Sequence, residues 1–284
     1  MEIVMNRPKR NSILCPNCRK LISEDESKCP FCGLPTPGSL WKNNPLTRGW
    51  GSGEKLIHLI IYANVIMYLI SLALNPRRMG MRLSLFGMFA PSPNSLAALG
   101  ATGTYLMNGV SGWWTLLAAN YLHGSILHIL FNMIALYQLS PIVTQLYGPY
   151  RYFSIYTLSG VFGFWVSFLA GVPLTIGASA ALCGLIGAAL YYGWHRGGVF
   201  GHAIYRQVGG WAVFILLFGF LVPGINDWAH IGGMLSGALL GFLLGYQEKV
   251  RDKLYHRLLA ASCMLSTAAV LAWGVLRGVS FWLR

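Results

Sequence analysis

Apolar stretches with few breaks dominate the chain from Leu56 onward. Leu56 to Leu74 is one such run, and about Ser125 to Tyr147 is a second. Between Arg151 and Arg196 there is no Asp, Glu, Lys or Arg. A membrane-spanning helix takes roughly 20 apolar residues, so that interval holds two spans, broken at Gly171-Val172-Pro173. Between Arg206 and Glu248 the one charged residue is Asp227, which predicts two more, broken at Pro223-Gly224. Leu258 to Leu276, rich in Ala and Ser, is a weaker candidate. The pattern predicts seven transmembrane helices, or six if the last does not insert. Asn75 to Trp113 reads as a long loop, with apolar pieces such as Leu83-Ser84-Leu85-Phe86 suited to the membrane interface. No cleavable signal peptide is apparent, because the first apolar run follows a polar segment.

Composition agrees. Of 284 residues, 55% are hydrophobic and only 10% charged, against roughly 25% charged in soluble domains. Mean hydropathy is +0.53. These values exclude an ordinary soluble domain and a disordered chain. The net charge of +13 fits nucleic acid, an anionic surface or topology signals. Its distribution favours the last. Nine of the 21 Lys and Arg precede residue 56. With a cytoplasmic N-terminus and seven crossings, sixteen basic residues fall inside and five outside, following the positive-inside rule. Arg77, Arg78 and Arg82 run mildly against it, but long loops translocate largely regardless of charge. The expectation is an integral protein of the plasma (inner) membrane, in contact with the lipid bilayer, with no nucleic-acid partner.

Cys15-Pro16-Asn17-Cys18 and Cys29-Pro30-Phe31-Cys32-Gly33 form two C-x-x-C knuckles ten residues apart. Two tight turns converging four thiolates suit tetrahedral zinc. A segment this short has little core of its own, so a metal would supply much of its folding energy. A pair of disulfides or an iron site are the alternatives. Thiolate ligands persist best in a reducing compartment, which again places the N-terminus in the cytoplasm. Arg19, Lys20 and Lys28 balance Glu24, Asp25 and Glu26, so the ribbon lacks the basic face of a nucleic-acid reader. A protein partner remains open to it.

Polar residues at membrane depth are functional candidates. They are few: His123, His128 and Asn132 near the second span, Ser179 at the fourth, Asp227 and His230 at the sixth, and His58 and Asn64 in the first. The last two read as ordinary packed or interfacial residues. No pair of intramembrane Asp residues is present, and no His-Glu-x-x-His. Ser, His and Asn remain, the parts of a serine hydrolase with an imidazole base and an amide oxyanion donor. Ser179 and His230 each lie about four residues into parallel spans, hence at similar depth. Gly233, Gly237 and Gly241 on one span, and Gly184, Gly187 and Ala188 on another, permit close approach. Taken singly these features are bland. A membrane Ser usually bonds its own helix, and a Gly stripe usually only packs.

Leu122-His123-Gly124-Ser125-Ile126-Leu127-His128-Ile129-Leu130-Phe131-Asn132, Gly177-Ala178-Ser179-Ala180 and Ala229-His230-Ile231-Gly232-Gly233, taken in order, resemble the motifs of the rhomboid intramembrane serine proteases. Leu99-Gly100-Ala101 and Gly148-Pro149-Tyr150-Arg151 resemble further family segments. The resemblance covers roughly residues 55 to 250. It implies an all-α polytopic fold with a rhomboid-like six-helix bundle (55–250); the cysteine knuckles and the last apolar run add the expectation of a cytoplasmic zinc ribbon and linker before it (1–54) and a cytoplasmic loop with a seventh helix after it (251–284). It also implies Ser179 as nucleophile, His230 as general base, and His128, Asn132 and the Ser179 N–H as oxyanion hole. His123, Gly177 and Gly233 would support them. Substrates would be transmembrane segments of membrane proteins, cut without a catalytic cofactor, so the zinc held by Cys15, Cys18, Cys29 and Cys32 would be structural. Ala180, Cys183, Thr115 and Gln145 stand where the family commonly has Gly, an aromatic ring, Arg and Glu. A catalytically silent relative that binds transmembrane helices is the second reading. A transporter is disfavoured by the scarcity of buried charge.

Overall fold

Residues 12–16, 20–39, 53–74, 89–107, 112–222, 224–250 and 252–282 are described by the structure, a computed structural model. Cys18, Arg77, Arg78, Arg82, Pro223 and the apolar piece at 83–86 lie outside them. The chain divides into two units, Met1–Gly51 and Ser52–Arg284.

In the first unit, β1 (Ser12–Leu14) pairs antiparallel with β2 (Leu21–Ser23), with Ile13 opposite Ile22. The chain turns just after each strand or knuckle. The Cys15 N–H donates to the Lys20 carbonyl at 2.8 Å, and the Cys29 N–H to that of Leu34 at 2.8 Å. Gly33 closes the second turn, donating to the Cys29 carbonyl at 2.9 Å. Its φ of +72° is a left-handed conformation that glycine adopts without steric cost. Cys15, Ile22 and Cys29 form the buried centre, with Ile13 and Leu34 against them.

The second unit is helical among its described residues. Its elements are α1 (Gly53–Ala73), α2 (Pro93–Leu99), α3 (Thr104–Met107), α4 (Thr115–Ala118) with a 3₁₀ turn at Ala119–Tyr121, α5 (Ile126–Leu169), α6 (Ser179–Arg196), α7 (Gly198–Leu221), α8 (Asp227–Leu244) and α9 (Leu254–Trp282). Of these, α1, α5, α7, α8 and α9 are long and apolar enough to cross a membrane. α5 covers two of the apolar runs in one kinked element of 44 residues. The break is Gly148 (φ 78°, ψ 165°) before Pro149, which has no N–H to donate to the i−4 carbonyl and whose ring clashes with it.

α6 lies centrally, against α5, α7 and α8. Nearly all of its residues from Ala180 to Ala189 are alanine, glycine, leucine or isoleucine, and all ten are buried. By contrast α7 leaves Phe214, Leu217, Phe220 and Leu221 exposed, an apolar outer face suited to lipid. The glycine stripes meet. A methyl group at Gly233 would strike the Ala180 carbonyl, one at Gly237 the Gly184 carbonyl, and one at Gly187 the Met234 carbonyl. Backbone therefore rests on backbone along α6 and α8, the packing that small residues permit in lipid.

Some boundaries differ from those expected. The loop after α1 contains α2, capped by Ser92, whose side chain accepts from the Ser95 N–H, with Pro93 in the first turn and Gly100 (φ 104°) ending it. That is a complete start-and-stop signature. α7 begins at Gly198, so Arg206 lies about two turns inside it on an exposed face, where a long side chain can reach the interface. α9 extends to 29 residues and packs on α5, α2 and α4.

At the opposite end from Ser179, Arg151 is wholly buried. It donates to the carbonyls of Gly245 (2.7 Å) and Val250 (2.7 Å) and to Asp252 Oδ1 (2.8 Å). Nearby, Arg196 Nε donates to Glu248 Oε2 at 2.8 Å, and this bond holds the Glu248 carboxyl below its usual range.

Candidate active site

The loop before α6 descends from α5 and is fixed by paired threonines. Thr102 and Thr175 exchange backbone bonds of 3.2 and 2.7 Å, and the Thr115 hydroxyl lies 3.1 Å from that of Thr102. Gly177 then donates its N–H to the Ala119 carbonyl at 2.9 Å. Its φ of +124° disfavours any side chain. A Cβ there would also come within 2.7 Å of His128 Nε2 and 3.7 Å of Ser179 Oγ. Because Gly177 cannot continue a helix backward, Ser179 is the first residue of α6, rather than about the fourth as the sequence suggests. Its N–H is among those that no helix can satisfy internally.

His230 is the fourth residue of α8. Asn226 caps that helix by accepting from the Ala229 N–H at 3.2 Å. The same side chain donates to Ser167 Oγ (2.6 Å) and Thr175 Oγ1 (2.9 Å), tying the starts of α6 and α8 together. His230 Nε2 lies 3.0 Å from Ser179 Oγ. The His230 side chain is buried, with 7% of its surface exposed, while Ser179 is partly accessible.

His128 is the third residue of α5, whose N-cap Ser125 accepts from the His128 N–H at 3.2 Å. The Gly124 N–H points at His128 Nδ1, 3.3 Å away. Nδ1 is therefore an acceptor, and the ring proton sits on Nε2, which makes that nitrogen a donor. It is the nitrogen beside Gly177. Asn132, one turn on, donates to the His128 carbonyl at 2.9 Å, using one of the two N–H bonds its amide has. His123 stacks edge-on against His128, with ring centroids 5.0 Å apart. Both His123 ring nitrogens are buried and make no hydrogen bond among the described residues. His58 bonds the Glu54 carbonyl and Asn64 that of Ile60, both away from the site. The Ala180 methyl lies in a buried cluster with Leu116, Ala119, Phe164 and Ala229, and Gly163 makes room beside it.

Asn226, Thr102 and Thr175 escape a motif-by-motif reading. A helix-start signal, Asn directly before an apolar helix, marks Asn226; the threonines carry no such signal.

In the first unit the Sγ atoms of Cys15, Cys29 and Cys32 all lie within 4.8 Å of one another. Those of Cys15 and Cys32 are 3.7 Å apart, too long for a disulfide of about 2.05 Å. Zinc–sulfur bonds of about 2.3 Å arranged tetrahedrally put sulfurs roughly 3.8 Å apart, so the three could bind a metal.

A family model described as the rhomboid domain matches residues 110–247. YdcA of Bacillus subtilis, named for the rhomboid proteases, is 31% identical over 142 residues, which are 49% of this chain and 70% of that protein. The chain belongs to the rhomboid family. It is an integral membrane protein. The rhomboid protease GluP of Bacillus subtilis is 32% identical over 174 residues, 61% of this chain but 34% of its own length. RHOMBOID-like protein 4 of Arabidopsis thaliana is 30% identical over 206 residues, 66% of this chain and 52% of its own. The chain thus spans about a third and about half of these two rhomboid relatives. The matched rhomboid segment contains Ser179, His230, His128 and Asn132 alike.

Proposed function

We propose that the chain is an intramembrane serine endopeptidase that cleaves transmembrane segments of membrane proteins. The observation that carries this is the 3.0 Å contact between Ser179 Oγ and His230 Nε2, within nucleophile–base reach. Ser179 Oγ attacks the scissile carbonyl as His230 Nε2 takes its proton. The negative oxygen of the tetrahedral intermediate meets the Ser179 N–H, His128 Nε2–H and the second Asn132 N–H, donors aimed where charge develops. His230 then returns the proton to the leaving amine, and water hydrolyses the Ser179 ester by the reverse sequence. No cofactor is needed for these steps. The α6 helix of 18 residues is about 27 Å long, shorter than the roughly 30 Å hydrocarbon core. A serine at its first residue then sits below the membrane surface while remaining partly accessible.

In this reading α1, the two arms of α5, α6, α7, α8 and α9 make seven crossings, and the N-terminus lies in the cytoplasm of a cell whose inner membrane holds the bundle. Residues 55–250 form the protease, 1–54 a zinc-ribbon domain with its linker, and 251–284 the last loop and helix. A transmembrane reporter reconstituted in liposomes tests the claim. Wild type cleaves it within the apolar segment and Ser179→Ala does not. Cleavage by neither when both are folded favours the silent helix-binding relative, and equal cleavage by both would show that Ser179 is not the nucleophile.

Cys15, Cys18, Cys29 and Cys32 hold one structural zinc here. Replacing Cys15 and Cys18 by Ser is expected to reduce bound zinc from one per chain to none, while the melting of the membrane unit stays unchanged. Elemental analysis and a thermal scan check this. Collapse of the whole protein on loss of zinc would contradict the separate role of the ribbon.

A further inference from the structure

We propose that Asp227 is a positioning residue for His230, so that the dyad operates with a third member. The inference rests on the protease reading above. When Ser179 Oγ–H donates to His230 Nε2, the neutral imidazole carries its proton on Nδ1. Among the described residues, that Nδ1–H is buried and makes no hydrogen bond. A buried donor without an acceptor is rare and calls for an explanation. Asp227 lies one turn earlier on α8, with Oδ1 3.6 Å from His230 Nδ1. Oδ1 is itself buried with no hydrogen bond among the described residues. Each of these two atoms is what the other lacks.

The placement of the carboxylate depends on a second helix. Gly219, near the end of α7, lies directly against it, and a methyl group there would strike Asp227 Oδ1. Asn226 already caps α8, so Asp227 is not needed for the cap. The gap exceeds a hydrogen bond of about 3.2 Å, as catalytic contacts often do before substrate binds. A small rotation of the Asp227 side chain closes it. The carboxylate then holds the Nδ1–H tautomer and stabilises the imidazolium that forms as Ser179 attacks, while the proton stays on nitrogen. The Asp227 side chain remains 31% exposed, so water weakens its field and its effect is smaller than that of a fully buried acid.

Steady-state cleavage of the transmembrane reporter by wild type, Asp227→Asn and Gly219→Ala tests this, with thermal melting of each. Asp227→Asn keeps the shape and removes the charge. It is expected to lower kcat at least about tenfold, against roughly 10⁴-fold for the buried acid of a full triad, with KM and melting unchanged. Gly219→Ala, which displaces the same carboxylate, is expected to lower kcat in the same way. A kcat for Asp227→Asn within about twofold of wild type overturns the inference and leaves the protease reading intact. A loss that follows reduced melting, or that falls on KM alone, overturns it too. If wild type and Ser179→Ala cleave equally, the protease reading fails and this one with it.

Discussion

Replacing His230 by Ala is expected to lower kcat on a transmembrane reporter by at least about 10³-fold, with KM little changed. Among the described residues, the proton on Ser179 Oγ has one acceptor within hydrogen-bond distance, His230 Nε2 at 3.0 Å. Without it the hydroxyl is a poor nucleophile, and no group protonates the leaving amine. General base catalysis alone supplies about 10²–10⁴-fold, and in the proposed mechanism the same ring serves both half-reactions. His128→Ala is expected to cost less, about 10²–10³-fold, the usual effect of one oxyanion donor. The order of the two effects is the useful readout. A larger loss in His128→Ala than in His230→Ala would mean that the roles of the two imidazoles are exchanged. Cleavage rates over an enzyme-concentration series measure both.

Replacing Arg151 by Ala is expected to destabilise the membrane unit by about 3–5 kcal/mol, the largest stability effect of any single polar side chain described above. Its guanidinium satisfies two backbone carbonyls, at Gly245 and Val250, and one carboxylate, at Asp252. Hydrogen bonds to a charged group contribute about 1.5–3 kcal/mol each, and the carbonyls are left without that donor in the variant. Asp252 is 26% exposed, so water compensates it in part. Asp252→Asn should therefore cost about 1 kcal/mol or less. In detergent, a lower thermal midpoint for Arg151→Ala, by about 10 °C, checks the first figure. Equal melting of the two variants would show that the ion pair, and not the carbonyl clamp, is what Arg151 supplies.

Arg151 also marks where sequence reasoning stops. In the linear chain it is one more basic residue at a span end, counted toward topology. Its partners lie some hundred residues away in sequence, and nothing local announces them. The site itself was more legible. His128 and Asn132 share a helix face by spacing, and the glycines of α6 and α8 foretell close packing, because both features obey helical periodicity. The depth of Ser179 was less accessible. It depends on the left-handed conformation of Gly177, which makes α6 begin at Ser179, about three residues later than apolar content would suggest. The threonine pairing behind it and the double role of Asn226 are contacts between distant segments, and single-chain patterns do not encode them. In the first unit the spacing of the cysteines already implied convergence, since two short knuckles leave few other ways to bury thiols. Three of the four lie together; Cys18 is outside the described residues.

The central claim is that Ser179 is an activated nucleophile. A fluorophosphonate probe reacts with such a serine and leaves one covalent adduct, located by peptide mass mapping of the intact protein in detergent. Wild type is expected to carry a single adduct on the peptide containing Ser179 and Ser179→Ala none, with both proteins melting alike. Equal labelling of the two, or no labelling of folded wild type, would contradict it.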